Sequence, residues 1–434
     1  MPLPRTTRRW SGCSRRPSDA RFLAAATFAR HDFGVEPLRA ERVVIARDVL
    51  TDPPSAARLE AMLRHVTADR MDVLPPERVE RALAELGPRL GRPRAGLHGG
   101  GQPKALVAFT RFGPDAAREV FPGYSWREVR NGREQADRHG VLCQTAIEIQ
   151  SVVGCPFDCA YCPYTSFVCV RLDVERFADR VEELVRERPH QRLWKLNNRS
   201  DTLGLEPEYG LAATLVERFA HLDGATLLLY SKGEAVEHLT GLDHRGRTAA
   251  SFTLTPEPVA ERLEPGAPPP SARIAALGAL HRAGYPTRVR FSPVVPLAGW
   301  REAYDDLTRR IAAVAAPELV TLWTLSMVEL AELPRIVPLD ALDPLALADA
   351  RRAEDALRGD KGAPFPEWTR TRIYRELTEI VRARLPSSRV SLCLERESVW
   401  NALGGTLPSP RGGFVCNCGP TATPDVIRLR RRAS

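Results

Sequence analysis

Lysine is almost missing from this chain of 434 residues: only Lys104, Lys195, Lys232 and Lys361 stand among 62 basic residues. The other 58 are arginine, set against 54 acids, for a formal charge of +8. Such a bias, with abundant alanine and 37 prolines, is what a GC-rich genome produces. The positive balance is therefore weak evidence for a nucleic-acid partner. Long apolar runs are absent too. The most apolar stretch, Ile311–Leu330, is broken by Pro317-Glu318, and mean hydropathy is −0.26; no membrane association is expected. Nine cysteines are too few for a disulfide scaffold of this length. P-loop, dinucleotide fingerprint, nucleophile elbow and paired-histidine zinc spacing are all missing. What remains, 43% hydrophobic and 27% charged residues, describes a packed α/β protein rather than a disordered one.

Residues 1–40 read as a disordered arginine-rich arm. Arg5 to Arg16 holds five arginines and no acid, and no apolar core follows, so a secretory signal is not expected and a cytoplasmic location is. Residues 41–140 read as a small α/β subdomain and linker, with "ERVVIARDVL" as a strand, "SAARLEAMLRHV" and "PPERVERALAELGPRL" as helices, and a glycine-rich connector at Gly96–Lys104. Between 141 and 330 strands alternate with helices. The strands are placed at Ala146–Val153, Arg192–Asn198, Ala225–Ser231, Thr248–Leu254, Arg288–Val295 and Leu319–Leu325. The helices are placed at Val174–Arg188, Pro207–His221, Gly233–Leu239, Pro256–Leu263, Ser271–Ala283 and Trp300–Val314. Six such repeats predict a partial (β/α)6 barrel, whose chemistry sits at the C-terminal ends of its strands. Residues 331–434 form a C-terminal region with a further helix, Arg372–Leu385, a strand "SRVSLCLE", and a tail holding Cys416-x-Cys418. The arginines of that helix read as a solvated face more than a phosphate stripe.

The strongest local signal is "GCPFDCAYC". It sets Cys155, Cys159 and Cys162 in one loop after the first barrel strand. Three such thiolates can hold three corners of a 4Fe-4S cluster and leave one iron open. Zinc is the competing reading, but structural zinc wants paired Cys-x2-Cys elements and a fourth ligand, and the nearest cysteine, Cys169, lies seven residues on.

The spacing, Tyr161 before the third cysteine, and the strand-end position resemble the radical S-adenosylmethionine superfamily. Further segments resemble the spore photoproduct lyase family within it: "RSDTLGLEPEYG" (Arg199–Gly210), Tyr230–Pro286 with "LDHRGRT" and "ERLEPGAP", "PVVPLAGWREAY" (Pro293–Tyr304), and "VVIARDVLTDPPSAARLEAML" near the N-terminus. The resemblance implies a 4Fe-4S cluster on Cys155, Cys159 and Cys162. It also implies bound S-adenosylmethionine, and a 5′-deoxyadenosyl radical that abstracts hydrogen from the substrate. Cofactor contacts then fall on Tyr161, Ser200, Lys232 and Thr253. His244 reads as a turn residue without a catalytic role. The implied partners are an electron donor of flavodoxin or ferredoxin type and, as candidate substrate, a nucleic acid whose base is repaired or modified.

One departure stands out. The cysteine that returns hydrogen to the substrate in that family falls here on Asn198, and an amide cannot do so. The thiol candidates for that step are Cys169, Cys416 and Cys418. Cys416 and Cys418, with Cys393, are also candidates for a second cluster or metal. The alternatives to base repair are modification of a small metabolite or peptide in biosynthesis, and a non-enzymatic iron–sulfur or zinc protein that binds nucleic acid.

Overall fold

The computed structural model describes residues 37–86, 103–112, 119–130, 132–359, 363–407 and 416–419. Most of the predicted N-terminal arm, most of the glycine-rich connector, and Gly412-Gly413 and Pro420 of the tail lie outside the described residues.

Two sheets carry the fold. The small one runs Val66–Leu74, Leu38–Ala46, Leu106–Thr110, Phe167–Arg171 and Val152–Gly154. Its first four strands are parallel and the last is antiparallel. Its strand Leu38–Ala46 carries Val43, Val44 and Ile45, all without solvent contact, as expected of a parallel strand covered on both faces. The helix Pro53–Leu63 opens with Asp52 accepting from the Ser55 amide at 3.2 Å and with prolines in its first turn, where a missing N–H costs nothing.

The large sheet places Arg389–Leu392, Leu319–Thr324, Thr287–Val294, Thr248–Thr253, Thr226–Ser231, Leu193–Leu196, Ala146–Ile149 and Arg127–Arg130 side by side. The last is antiparallel; the other seven are parallel. Among the described residues no pairing joins the two edge strands, so this is an open, partial barrel. The six predicted strands are its six central parallel members. Alternation sorts the side chains. On Thr287–Val294, Val289 and Phe291 join the apolar core under the helices, while Arg290 and Ser292 line the cavity inside.

Three expectations are revised. The predicted strand Ala146–Val153 is two strands in two sheets: Ala146–Ile149 stays in the barrel, and Val152–Gly154 crosses to the small sheet. Asn197 enforces the break. Its side-chain oxygen accepts from the amides of Ser151 and Val152, at 2.9 and 3.2 Å, and its own backbone takes φ 47°, which asparagine tolerates. The predicted helix Gly233–Leu239 is only a 3-10 turn over Glu237–Leu239, bracketed by Gly233 and Gly241, poor helix formers. The boundaries drawn at 140/141 and 330/331 do not coincide with sheet boundaries. Arg127–Arg130 and Arg389–Leu392 belong to the barrel sheet, and Phe167–Arg171 to the small one.

The arginines of the helix Glu367–Arg384 are largely paired. Arg370 bridges Glu395 through two contacts of 2.9 Å. Arg372 meets Asp349 and Arg384 meets Asp305. No helix among the described residues is long and apolar enough to cross a membrane.

Candidate functional site

The loop bearing Cys155, Cys159 and Cys162 leaves the small sheet at Gly154 and returns to it at Phe167. Gly154 has φ 89°, and a Cβ there would lie 2.1 Å from the Phe167 carbonyl oxygen. Only glycine fits that departure point. The loop closes through the Cys155 amide on the Tyr164 carbonyl at 2.8 Å, and it is tied to the barrel by Asp158 on Pro265 and Ala160 on Leu263. Its interior is pinned by a buried lysine. Lys104 donates to the carbonyls of Phe157 and Thr165 at 3.0 and 2.7 Å, and to Asp158 at 2.5 Å. Three partners satisfy all three ammonium protons.

The three thiols face a cavity of about 240 Å³ at the C-terminal mouth of the parallel strands. Burial raises all three above the usual thiol range, Cys159 to about 12, with the Lys232 charge opposing that rise at Cys159 and Cys162. A metal would therefore displace protons on binding. Among the described residues no three or more Cys, His, Asp or Glu side chains are arranged to hold a single metal ion.

Opposite the loop, strand ends supply the polar wall. Asp201 ties two of them together. It accepts from Ser231 Oγ at 2.6 Å, the Lys232 amide at 2.7 Å and the Leu203 amide at 3.0 Å. Ser200 lines the cavity, and its buried hydroxyl has no partner. Lys232 also lines it, 3.9 Å from Glu264 and over the ring of Tyr161. Glu264 is the hub. It accepts from Tyr161 at 2.5 Å, Arg273 at 2.6 Å and Thr255 at 2.9 Å. Burial alone would raise its pKa; the Lys232 and Arg273 charges outweigh that and hold it below the ordinary 4.5. Thr253 completes this wall. The arrangement offers a soft-metal corner next to a buried ammonium and an unsatisfied hydroxyl, which suits a polar, anionic ligand beside a cluster.

Comparison with known proteins gives this geometry a counterpart. Residues 143–330 match the family model described as spore photoproduct lyase. The chain resembles the spore photoproduct lyase family. It is 27% identical over 172 residues to the spore photoproduct lyase of Bacillus subtilis (strain 168), and 27% identical over 173 residues to that of Geobacillus sp. (strain Y412MC61). Each alignment covers 38% of this chain, and the chain spans about half the length, 50%, of these curated relatives. A spore photoproduct lyase variant with bound AdoMet and dinucleoside spore photoproduct superposes with a TM-score of 0.57 at 16% identity. It covers 82% of this chain and 99% of its own. At that identity the likeness is one of fold. Spore photoproduct lyase complexed with the dinucleoside spore photoproduct gives the same score at 15% identity and the same coverage.

Against the spore photoproduct lyase pattern, Tyr161, Ser200, Lys232 and Thr253 all reach one cavity with the three loop thiols. Cys416 and Cys418 reach it as well. Cys169 is corrected: it sits without solvent contact in the small sheet, its thiol on the Val120 carbonyl at 3.3 Å, and is no part of the cavity lining. Its strand has a cysteine between valines, and alternation alone does not say which sheet takes it. Asn198 lines the cavity. His244 is a turn residue, stacked on Tyr285 with its ring on the Ala283 carbonyl. Sequence reasoning missed Lys104, Glu264 and Arg273. The scarcity of lysine was the one available signal for the first.

Proposed function

We propose that this protein is a radical S-adenosylmethionine enzyme of the spore photoproduct lyase type, acting on a nucleic-acid base. The observation that carries the reading is the convergence of Cys155, Cys159 and Cys162 with Lys232 and the unpartnered Ser200 hydroxyl in one cavity, within the residues that match the family model. The three thiols would hold a 4Fe-4S cluster. Lys232, Ser200, Thr253 and the backbone at Tyr161 would hold S-adenosylmethionine. Bound together, these groups supply a 5′-deoxyadenosyl radical that abstracts hydrogen.

The chain's own residues provide orientation and exclusion of water. Glu264 and Tyr161 fix the Lys232 ammonium on the wall facing Cys159. Asp201 locks the strand end that presents Ser200. A nucleic-acid base finds both π-faces and cations here. Tyr164, Tyr230 and Trp323 line the cavity among Arg130, Lys195, Arg199 and Arg290, and Arg290 already lies 4.3 Å from the Tyr230 ring centroid. Interleaved aromatic and basic groups are what stacking on bases uses. Electrons would come from a flavodoxin- or ferredoxin-type protein.

A second reading has its own support. The cavity's 240 Å³ falls below the roughly 300–1,000 Å³ of ordinary ligand sites, and residues 416–419 occupy the barrel interior. That favours a small metabolite over a dinucleoside. One experiment decides between the proposal and a non-enzymatic protein: anaerobic reconstitution with iron and sulfide, then dithionite and S-adenosylmethionine. Formation of 5′-deoxyadenosine, abolished by Cys159→Ala, is expected; no product in the wild type overturns the proposal. Salt-dependent binding of spore-photoproduct DNA then separates base from metabolite.

A further inference from the structure

Four cysteines from three distant segments line the cavity besides those of the loop: Cys143, Cys393, Cys416 and Cys418. Three pieces of backbone bring them there. Cys393 directly follows the barrel strand Arg389–Leu392. Cys143 follows the short strand Val141–Leu142, which pairs antiparallel with Glu395–Arg396 so that Leu142 stands opposite Glu395. The tail is docked inside the barrel. Arg288 donates to the carbonyls of Asn417 and Gly419 at 2.7 and 2.6 Å, and Ser251 donates to the Asn417 side chain at 2.8 Å. A Cβ on Gly419 would come within 2.6 Å of the Gln144 side chain, so the tail closes against the residue next to Cys143. Cys416 lies within electrostatic reach of Cys418, Cys143 and Cys393, and Cys143 within reach of Cys418 and Cys393.

The charges around this group have one sign. Arg130, Lys195 and Arg290 line the same cavity, and Arg290 approaches the Cys393 sulfur at 3.8 Å. The acids nearby are already paired: Glu148 is bridged by Arg130 at 2.9 Å and Lys195 at 3.3 Å, and Glu395 by Arg370 at 2.9 Å. Cations beside thiols favour thiolates, the form that binds metal.

We infer that Cys143, Cys393, Cys416 and Cys418 form a second metal centre that takes a four-thiolate iron–sulfur cluster, separate from the loop cysteines. A hydrogen donor needs one accessible thiol; four thiols converging from separate segments onto a cationic wall make a complete ligand set. Zinc at about 2.3 Å from each sulfur would draw the thiols into a tight tetrahedron. No three of them are arranged to hold a single metal ion, as one zinc would require. The inference does not depend on the activity proposed above.

The test counts metal. The full chain is reconstituted anaerobically, and iron, sulfide and zinc are measured beside circular dichroism. Wild type should hold about eight irons, and the variant Cys155→Ala/Cys159→Ala/Cys162→Ala about four. The variant Cys416→Ser/Cys418→Ser should fall by half, and Cys143→Ser alone should alter the electron paramagnetic resonance of the reduced second cluster. Equal iron in wild type and Cys416→Ser/Cys418→Ser overturns the inference, whatever the loop variant does, and is what a hydrogen-return role for these thiols would give. Zinc as the sole metal left in the loop variant overturns it too. If the loop variant instead loses no iron, the reading of the loop fails and that of the second centre stands.

Discussion

Lys195 donates to the side-chain oxygen of Asn198 at 2.7 Å, and the amide nitrogen of Asn198 donates in turn to Glu148 at 3.0 Å. Both halves of the amide are used by charged partners, and a thiol, a weak donor and weak acceptor, would replace them poorly. Asn198, which the resemblance sets at the hydrogen-donor position, is thus a bridge between Lys195 and Glu148. Asn198→Cys should cost about 2 kcal/mol in denaturant unfolding and bring no gain in turnover of DNA carrying the spore photoproduct. A tenfold gain would mean that the site is built for that substrate and lacks only its thiol.

Lys104 is remote from the matched residues 143–330, yet it holds the cysteine loop from within. Lys104→Met keeps the volume and removes the charge, taking the lysine away from Asp158 and two carbonyls. Stability should fall by about 3 kcal/mol. Iron bound by the loop should fall well below the wild-type content while circular dichroism stays unchanged. Full iron content in this variant would show that the loop holds its shape unaided.

Glu264 titrates below its ordinary 4.5 in the folded protein. The unfolded chain then binds its proton more readily, so the stability it contributes is present above about pH 4.5 and is lost as pH falls through the folded value. Glu264→Gln should be several kcal/mol less stable between pH 6 and 8, since it leaves Arg273 and Lys232 without their anion. The gap from wild type should close below pH 4.5. A gap that stays constant down to pH 3 would mean that the carboxylate charge is not what matters.

Arg288 is the anchor of the docked tail. Arg288→Ala should raise the rate of proteolytic cleavage around residues 416–419 roughly tenfold, the effect of losing about 1.4 kcal/mol of docking. It should also lower the iron assigned to the second centre and spare that of the loop. The partner Glu318 is part-exposed, so the barrel itself should survive.

What was legible in the sequence was local. The Cys-x3-Cys-x2-Cys loop and Lys232 after its strand line one cavity, a placement that short spacing and strand ends make legible. The six central strands were legible from β-branched runs punctuated by turns. What was not legible depends on pairing between distant segments. Nothing near Lys104 points 53 residues ahead to Phe157, and nothing near Cys143 points to Arg389–Leu392 or the tail. Ala146–Val153 reads as one strand because the residue that breaks it, Asn197, comes 46 positions after Ser151. Cys169 was misjudged for the same reason: its sheet partners, not its own neighbours, decide where it lies.

Both strands that flank the cysteine loop, Val152–Gly154 and Phe167–Arg171, belong to the small sheet, whereas Ser200, Lys232 and Thr253 stand on the barrel. The two halves of the site are thus mounted on different supports, and their alignment is a property of the seam between the sheets. A fragment cut to the barrel alone would keep every wall residue and lose the bracket that carries the thiols. A protein that docks on the small sheet, by contrast, would have a direct mechanical handle on the distance between them.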